Sequence, residues 1–141
     1  VERHKNTHHI GIGYIQGYGL KSGAVATSVA HDSHNIICVG TNDEDMAFAV
    51  NRIARNRGGI VVVENGQVLA ELPLEIAGII SGKPLREVNT LLEDAKKAAH
   101  ALGVGTDIDP FMTLSFMSLP VIPTLRLTTR GVVDVNTQQY V

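Results

Sequence analysis

Side chains able to do chemistry gather at one place in this sequence, the segment His31-Asp32-Ser33-His34-Asn35. Imidazole, carboxylate and hydroxyl groups bind metal ions, transfer protons and act as nucleophiles in proteins. The segment separates two apolar stretches that have the character of strands, so a rigid frame would hold it as a loop. We therefore take these five residues as the candidate site.

The residue types alone leave four interpretations of this loop open. A metal site could use His31, Asp32 and His34, but such sites usually draw a further ligand from elsewhere in the chain. A Ser-His-Asp nucleophile is disfavoured, because the members of such triads lie far apart in sequence. A polar turn whose Asp and Ser side chains bond nearby amides is the simplest interpretation. The fourth is a loop that completes a ligand pocket with another domain.

The composition predicts one globular domain over residues 1–141. Apolar residues make up 44% of the chain and charged residues 18%, which excludes a disordered tail. The 12 basic and 14 acidic residues are mixed along the chain, so we expect neither nucleic acid nor a membrane surface as a partner. The single Cys38 excludes an internal disulfide and indicates a reducing compartment, so we expect a cytoplasmic protein.

Residues 1–9 form a polar leader that contains His4, His8 and His9. The chain lacks an initiator Met, so we expect a piece of a longer protein, with this leader coming from the junction to a preceding domain. Such leaders are usually solvated. Residues 10–20 then alternate glycine with larger side chains, which predicts a strand whose bare face another backbone can approach closely.

The elements that must position the loop follow from periodicity. We predict strands at residues 23–30 and 35–40 on either side of the loop, and a helix that starts with a capping box at Thr41–Glu44 and ends before Gly58-Gly59. The run Ile60–Val63 predicts a strand, and Asn65-Gly66 predicts a tight hairpin to the next one.

The second half of the chain carries one long helix and little other regular structure. Pro84 begins a helical apolar stripe that Gly103 ends, whereas residues 74–80 cannot be assigned. Residues 109–128 contain three prolines and should wrap the core as short pieces, before a last strand at 131–135. The layout predicts an α+β fold, with a mostly antiparallel or mixed sheet and two principal helices packed on one face.

Three long segments of the sequence carry a resemblance to a known family. They are GYGLKSGAVATSVAHDSHNIICVGTNDEDMAFAVN, GGIVVVENGQVLAELPLEIAGIIS and DPFMTLSFMSLPVIPTLRLT. Together they resemble the carboxy-terminal domain of adenine deaminase, a member of the amidohydrolase superfamily, over nearly the whole chain. The strings VAHDSHN and DPFMTLSF are the most specific parts of the match.

The resemblance implies an enzyme that hydrolyses adenine to hypoxanthine and ammonia with manganese or iron at a two-metal centre. Those metals would sit in a (β/α)₈ barrel, which 141 residues cannot hold beside this domain. We therefore expect no metal site and no activity in the chain alone. The barrel, adenine and further copies in a homo-oligomer are the expected partners.

What the resemblance implies for the site is limited to the VAHDSHN match. We expect His31, Asp32, Ser33, His34 and Asn35 to bind substrate at the barrel mouth, with Asp32 and His34 as candidate catalytic residues. Two alternatives stay open. The domain could be purely structural, using the glycine face of residues 10–20 and the surface around Met112, Phe116 and Met117 to pack or oligomerise. It could also be a free-standing small-ligand binder.

Overall fold

Short runs of small and β-branched residues form the strands of this chain, and longer amphipathic runs form its helices. The computed structural model describes residues 1–141. In chain order the elements are β1 (Ala24–Thr27), β2 (Ile37–Gly40), α1 (Asp43–Arg55), β3 (Gly59–Glu64), β4 (Gln67–Pro73), α2 (Leu85–Ala101), α3 (Pro110–Met117), β5 (Leu125–Thr128), β6 (Gly131–Asp134) and β7 (Gln139–Tyr140). Four strands form an antiparallel sheet in the order β2-β1-β3-β4, and the last three form a second one. The predicted α+β class and antiparallel sheet are confirmed.

The two long helices cover opposite faces of the four-stranded sheet. α1 packs on the face that carries Ala26 and Val61, and α2 packs on the face that carries Val25 and Val62. Our prediction that both helices share one face is therefore wrong. The physical reason lies in the central strands β1 and β3, which are buried at successive positions and so need cover on both sides.

The start of α1 is tied to the β3–β4 hairpin. Asn42 caps the helix by accepting a hydrogen bond from the Asp45 amide at 2.8 Å, so the capping motif lies one residue beyond its predicted start at Thr41. Asp45 in turn accepts from the amides of Asn65 and Gly66 at 3.1 and 2.8 Å. Those two residues have φ of 52° and 70°, which confirms the predicted tight turn.

The glycine-rich segment at residues 10–20 contains no strand, so that prediction is wrong. The close backbone approach that the glycines predicted does occur. A Cβ on Gly11 would lie 1.8 Å from the Thr128 carbonyl oxygen, and one on Gly19 would lie 2.7 Å from the Gly103 carbonyl oxygen. Glycine disfavours a regular strand entropically and supplies no side chain to pack, so the segment crosses its neighbours irregularly.

Residues 74–80, which the sequence left unassigned, form a turn closed by a single bridge between Ile76 and Ile80. Pro84 occupies the N-cap position of α2 without a capping hydrogen bond from its side chain. Gly103, with φ of 106°, follows the last turn of α2 as predicted. The proline-containing region after it holds only the eight-residue α3 and short strands. None of the helices has both the length and the apolar character needed to cross a membrane.

The thiol of Cys38 in β2 should be chemically inert while the chain is folded. Its Sγ lies 3.9 Å from the carbonyl oxygens of Val39 and Met46, and burial raises the pKa of the thiol to about 12. Little thiolate therefore exists near neutral pH. We expect Ellman's reagent to label the native chain roughly 100-fold more slowly than the urea-unfolded chain. Equal labelling rates in the two states would contradict this burial.

Candidate functional site

The candidate loop, residues 31–35, joins the two antiparallel strands β1 and β2 at one end of the sheet. Asp32 and Ser33 are exposed, whereas His31, His34 and Asn35 are half-buried. The side-chain amide of Asn35 donates from Nδ2 to the Ser33 hydroxyl at 3.1 Å, and the Asp32 carboxylate accepts no hydrogen bond within the chain. The structure thus brings all five predicted residues into one solvent-facing turn.

His34 closes this turn on itself. Its amide donates to the Ala30 carbonyl oxygen at 2.6 Å, and its Nδ1 accepts from the Ala30 amide at 3.3 Å. The residue has φ of 50°, a left-handed conformation that is uncommon for residues other than glycine. The His34 ring is therefore placed by backbone contacts and not by a flexible rotamer alone.

Arg3 fastens the loop to a second part of the molecule. Its Nε donates to the His34 carbonyl oxygen at 2.8 Å, and its Nη2 donates to the Ala77 carbonyl oxygen at 3.0 Å. The Arg3 amide also donates to the Asn35 side-chain oxygen at 3.1 Å. One side chain from the leader therefore holds the loop and the 77–78 turn in a common geometry.

Helix α3 supports the loop from the other side. The Ser118 hydroxyl, at the end of α3, donates to the His31 carbonyl oxygen at 3.3 Å, and Ser115 donates to the Val29 carbonyl oxygen at 2.9 Å. The His31 ring also lies 5.4 Å from the Phe116 ring, centre to centre. The loop is thus buttressed by side chains that come more than 80 residues later.

The polar leader is packed against the loop, so our prediction that it is simply solvated is wrong for its first residues. Val1 exchanges two backbone hydrogen bonds with Ile36, at 2.7 and 3.0 Å. The His4 ring lies 2.6 Å from the Ser33 carbonyl oxygen through its Nε2. His8 and His9 remain exposed, as expected.

The electrostatic surroundings keep the His34 ring neutral. Burial is the main cause that lowers its pKa below the ordinary value of 6.5, and the neighbouring His31 and Arg3 add to it. Asp32 acts in the opposite direction and raises the pKa, but it does not outweigh them. The ring can therefore accept and donate hydrogen bonds at neutral pH without carrying charge.

Two of the four interpretations of the loop are not supported by the geometry. The Ser33 hydroxyl contacts Asn35 and no imidazole, so no Ser-His-Asp arrangement is formed. Nowhere in the chain do three His, Cys, Asp or Glu side chains gather closely enough to hold a metal ion. The polar turn and the pocket-completing loop remain, and the solvent-facing Asp32 is compatible with both.

Sequence reasoning did not find Arg3, Ser118 and Phe116, which position the loop. Arg3 lies 31 residues from His34, and Ser118 lies 87 residues from His31. No periodicity or motif links such distant positions, since only chain folding brings them together. The sequence placed Phe116 on a surface for packing or oligomerisation, but it did not indicate the contact with His31.

A cleft of about 240 Å³ lies beside α3, and none of the loop residues 31–35 lines it. Its walls come from the irregular segment at residues 14–18 and from Ile108, Thr113 and Met117. Five of its eight lining residues are hydrophobic, so the cleft offers few polar groups to fix a ligand.

Comparison with known proteins places the chain in a family. The family model described as the adenine deaminase C-terminal domain matches residues 1–139. The chain belongs to this family. In this adenine deaminase C-terminal domain, helices cover both faces of the four-stranded sheet. The VAHDSHN loop lies at one end of that sheet, between β1 and β2.

Three relatives of this adenine deaminase C-terminal domain are each about four times as long as the chain. An adenine deaminase from Nitratidesulfovibrio vulgaris strain Hildenborough is 54% identical over 141 residues, which cover 99% of this chain and 24% of the relative. Adenine deaminase 2 from Carboxydothermus hydrogenoformans is 53% identical over 136 residues, covering 96% of this chain and 24% of that protein. The adenine deaminase from Bacillus subtilis strain 168 is 46% identical over 141 residues, covering the whole chain and 24% of the relative. The chain thus spans about a quarter of the length of these relatives.

Proposed function

We propose that the chain serves as the carboxy-terminal domain of a cytoplasmic, homo-oligomeric adenine deaminase that acts in purine salvage. One observation carries the proposal: a loop with Asp32 exposed and His34 held in place occurs in a domain that spans a quarter of proteins named adenine deaminase. In this proposal the loop faces an amidohydrolase barrel and completes its pocket for adenine.

The deamination of adenine requires groups that bind the purine and transfer protons. Hydrolytic deamination adds water at the six-position carbon of adenine and expels the amino group as ammonia, which leaves hypoxanthine. The attacking water loses a proton, and the departing nitrogen gains one. Asp32 makes no hydrogen bond within the chain and is exposed, so its carboxylate is free to move such a proton. His31, Ser33, His34 and Asn35 surround it with donors and acceptors for the purine.

Manganese or iron, held by the barrel, is the cofactor that we propose for the complete enzyme, where a bound metal activates water. This chain does not fit a metal centre of its own, because its potential ligands do not gather in groups of three. We therefore assign to the chain only substrate binding and proton movement.

A domain exchange tests the proposed function. The matching quarter of the Nitratidesulfovibrio vulgaris adenine deaminase is replaced by this chain, which is 54% identical to it. We expect the chimera to deaminate adenine at a rate within about tenfold of the parent, because similar loops would complete the pocket. A parent protein that lacks the quarter is the control and should be inactive. A chimera that folds and binds metal but does not turn over adenine would contradict the proposal.

A structural role for the domain is the second candidate, and the outer face of α3 favours it. Met112 and Phe116 are 46% and 40% exposed, although the helix is apolar in composition. A helix that is apolar all round is usually buried against other parts of the protein on every side. If the domain serves only as an interface, Phe116→Asp should dissociate the oligomeric chimera, which light scattering would show as a lower molecular mass. Substitutions in the loop should then leave turnover of adenine unchanged.

A free-standing binder of small ligands would need a site within this chain. The cleft beside Met117 is one candidate, and no residue of the VAHDSHN loop lines it. Calorimetric titration of the 141-residue chain with adenine distinguishes this role. Heat of binding without any other domain would support the binder, whereas its absence is expected if the loop forms only part of a pocket.

A further inference from the structure

His34 is the one residue of the turn whose backbone amide and carbonyl oxygen are both hydrogen-bonded within the chain. Its amide donates to the Ala30 carbonyl oxygen at 2.6 Å, and its own carbonyl oxygen accepts from Arg3 Nε at 2.8 Å. Its φ is 50°, and its ring Nδ1 accepts from the Ala30 amide at 3.3 Å. Three interactions thus restrain one residue of an exposed turn, and they restrain its ring orientation as well.

The contact between the Ala30 amide and His34 Nδ1, at 3.3 Å, decides where the ring proton is. A backbone N–H can only donate, so Nδ1 must present its lone pair. In a neutral imidazole the single ring proton then resides on Nε2. Protonation of the ring would place a hydrogen on Nδ1 and remove this contact.

The other nitrogen of the ring, Nε2, forms no hydrogen bond with any group of the chain. By contrast, the ring nitrogens of His4 and His100 each meet a backbone carbonyl oxygen, at 2.6 and 3.1 Å. His34 Nε2 is not among the buried polar atoms that lack a partner, so it is open to solvent. Its hydrogen is therefore available to an acceptor outside this chain.

We infer that His34 is held as the neutral Nε2–H tautomer and donates that hydrogen to a lone pair on the substrate. This inference rests on the proposed function and specifies its site. A neutral donor that cannot easily lose its proton binds and orients, and it does not transfer protons. The acceptor it fits is an unprotonated nitrogen in the plane of a heterocycle, as purine rings present at neutral pH. Proton movement is then left to Asp32.

Replacing His34 with asparagine distinguishes the role of Nδ1 from the role of Nε2. The asparagine side-chain oxygen can accept from the Ala30 amide in place of Nδ1, and asparagine tolerates a positive φ well. The Nε2–H alone is lost. In the active chimera we expect His34→Asn to lower kcat/KM for adenine about 10- to 100-fold, mainly through KM, with an unchanged Tm.

The matched control is His8→Asn. His8 also has a positive φ, 59°, and is exposed, but it makes no hydrogen bond and lies outside the loop. We expect it to change neither kcat/KM nor Tm. Unchanged kinetics in His34→Asn would overturn the inference, and so would a loss of activity that is matched by a fall in Tm.

Nitrogen-15 NMR of the histidine rings tests the tautomer separately in the 141-residue chain. At pH 7 the His34 signals should show a protonated Nε2 and an unprotonated Nδ1. A protonated Nδ1 would overturn the inference, whatever the kinetics show. An inactive chimera that carries the unchanged chain would instead contradict the proposed function, so the two failures are distinguishable.

Discussion

Replacing Asp32 with asparagine in the active chimera is expected to lower kcat for adenine deamination by about 100-fold or more. A positioned proton-transfer group typically contributes 10²- to 10⁴-fold, and the amide cannot take up a proton at neutral pH. The Tm should not change, because Asp32 is exposed and its carboxylate accepts no hydrogen bond within the chain. Steady-state kinetics and thermal melts of the same preparation measure both quantities.

The control for this variant is Asp107→Asn. Asp107 is also exposed and its carboxylate accepts no hydrogen bond, but it lies in the linker before α3. Both its kcat and its Tm should match those of the unchanged chimera. Equal turnover in the Asp32 and Asp107 variants would remove Asp32 from the reaction and favour the purely structural role.

Replacing Gly58 with alanine is expected to destabilise the fold by about 3 kcal/mol or more, or roughly 10 °C in Tm. Gly58 has φ of 135°, which a residue with a Cβ rarely adopts. The added Cβ would also lie 2.2 Å from Gly78 Cα and 2.8 Å from the Leu74 carbonyl oxygen. The 77–78 turn would have to move, and with it the Ala77 carbonyl oxygen that Arg3 binds.

The matched control is Gly66→Ala in the β3–β4 turn. Gly66 also has a positive φ, 70°, but a Cβ there would meet no atom within 4 Å. It should therefore cost only the backbone strain, about 1 kcal/mol. Urea unfolding of the two variants compares them directly. Similar free energies of unfolding would show that the close approach of Gly58 to the 77–78 turn does not matter for stability.

Local features of the fold could be predicted because each depends on a few neighbouring residues. The Asn65-Gly66 turn, the Ile60–Val63 strand and the helix between Pro84 and Gly103 all lie where the sequence indicated. Turn dihedrals and helix ends are determined by adjacent side chains and backbone amides. The alternating glycines of residues 10–20 misled the prediction, since their spacing suits a strand while their composition disfavours one.

The arrangement of these elements could not be read from periodicity. An apolar stripe shows that a helix is covered, but it does not say by which face of which sheet. The burial of β1 and β3 on both faces was visible in their continuous apolar runs, and it was the signal for helices on opposite sides.

The sequence by itself determined the chemistry available at the site and the family to which the chain belongs. The loop residues and the long family segments are contiguous, so neither needs a folded chain to be recognised. Only the tertiary structure decided how the loop is held, because Arg3, Ser118 and the Phe116 ring reach it across 31 to 87 residues. It also decided which nitrogen of His34 is free. A ring tautomer depends on one hydrogen-bond partner in space, and no pattern of residue types encodes that partner.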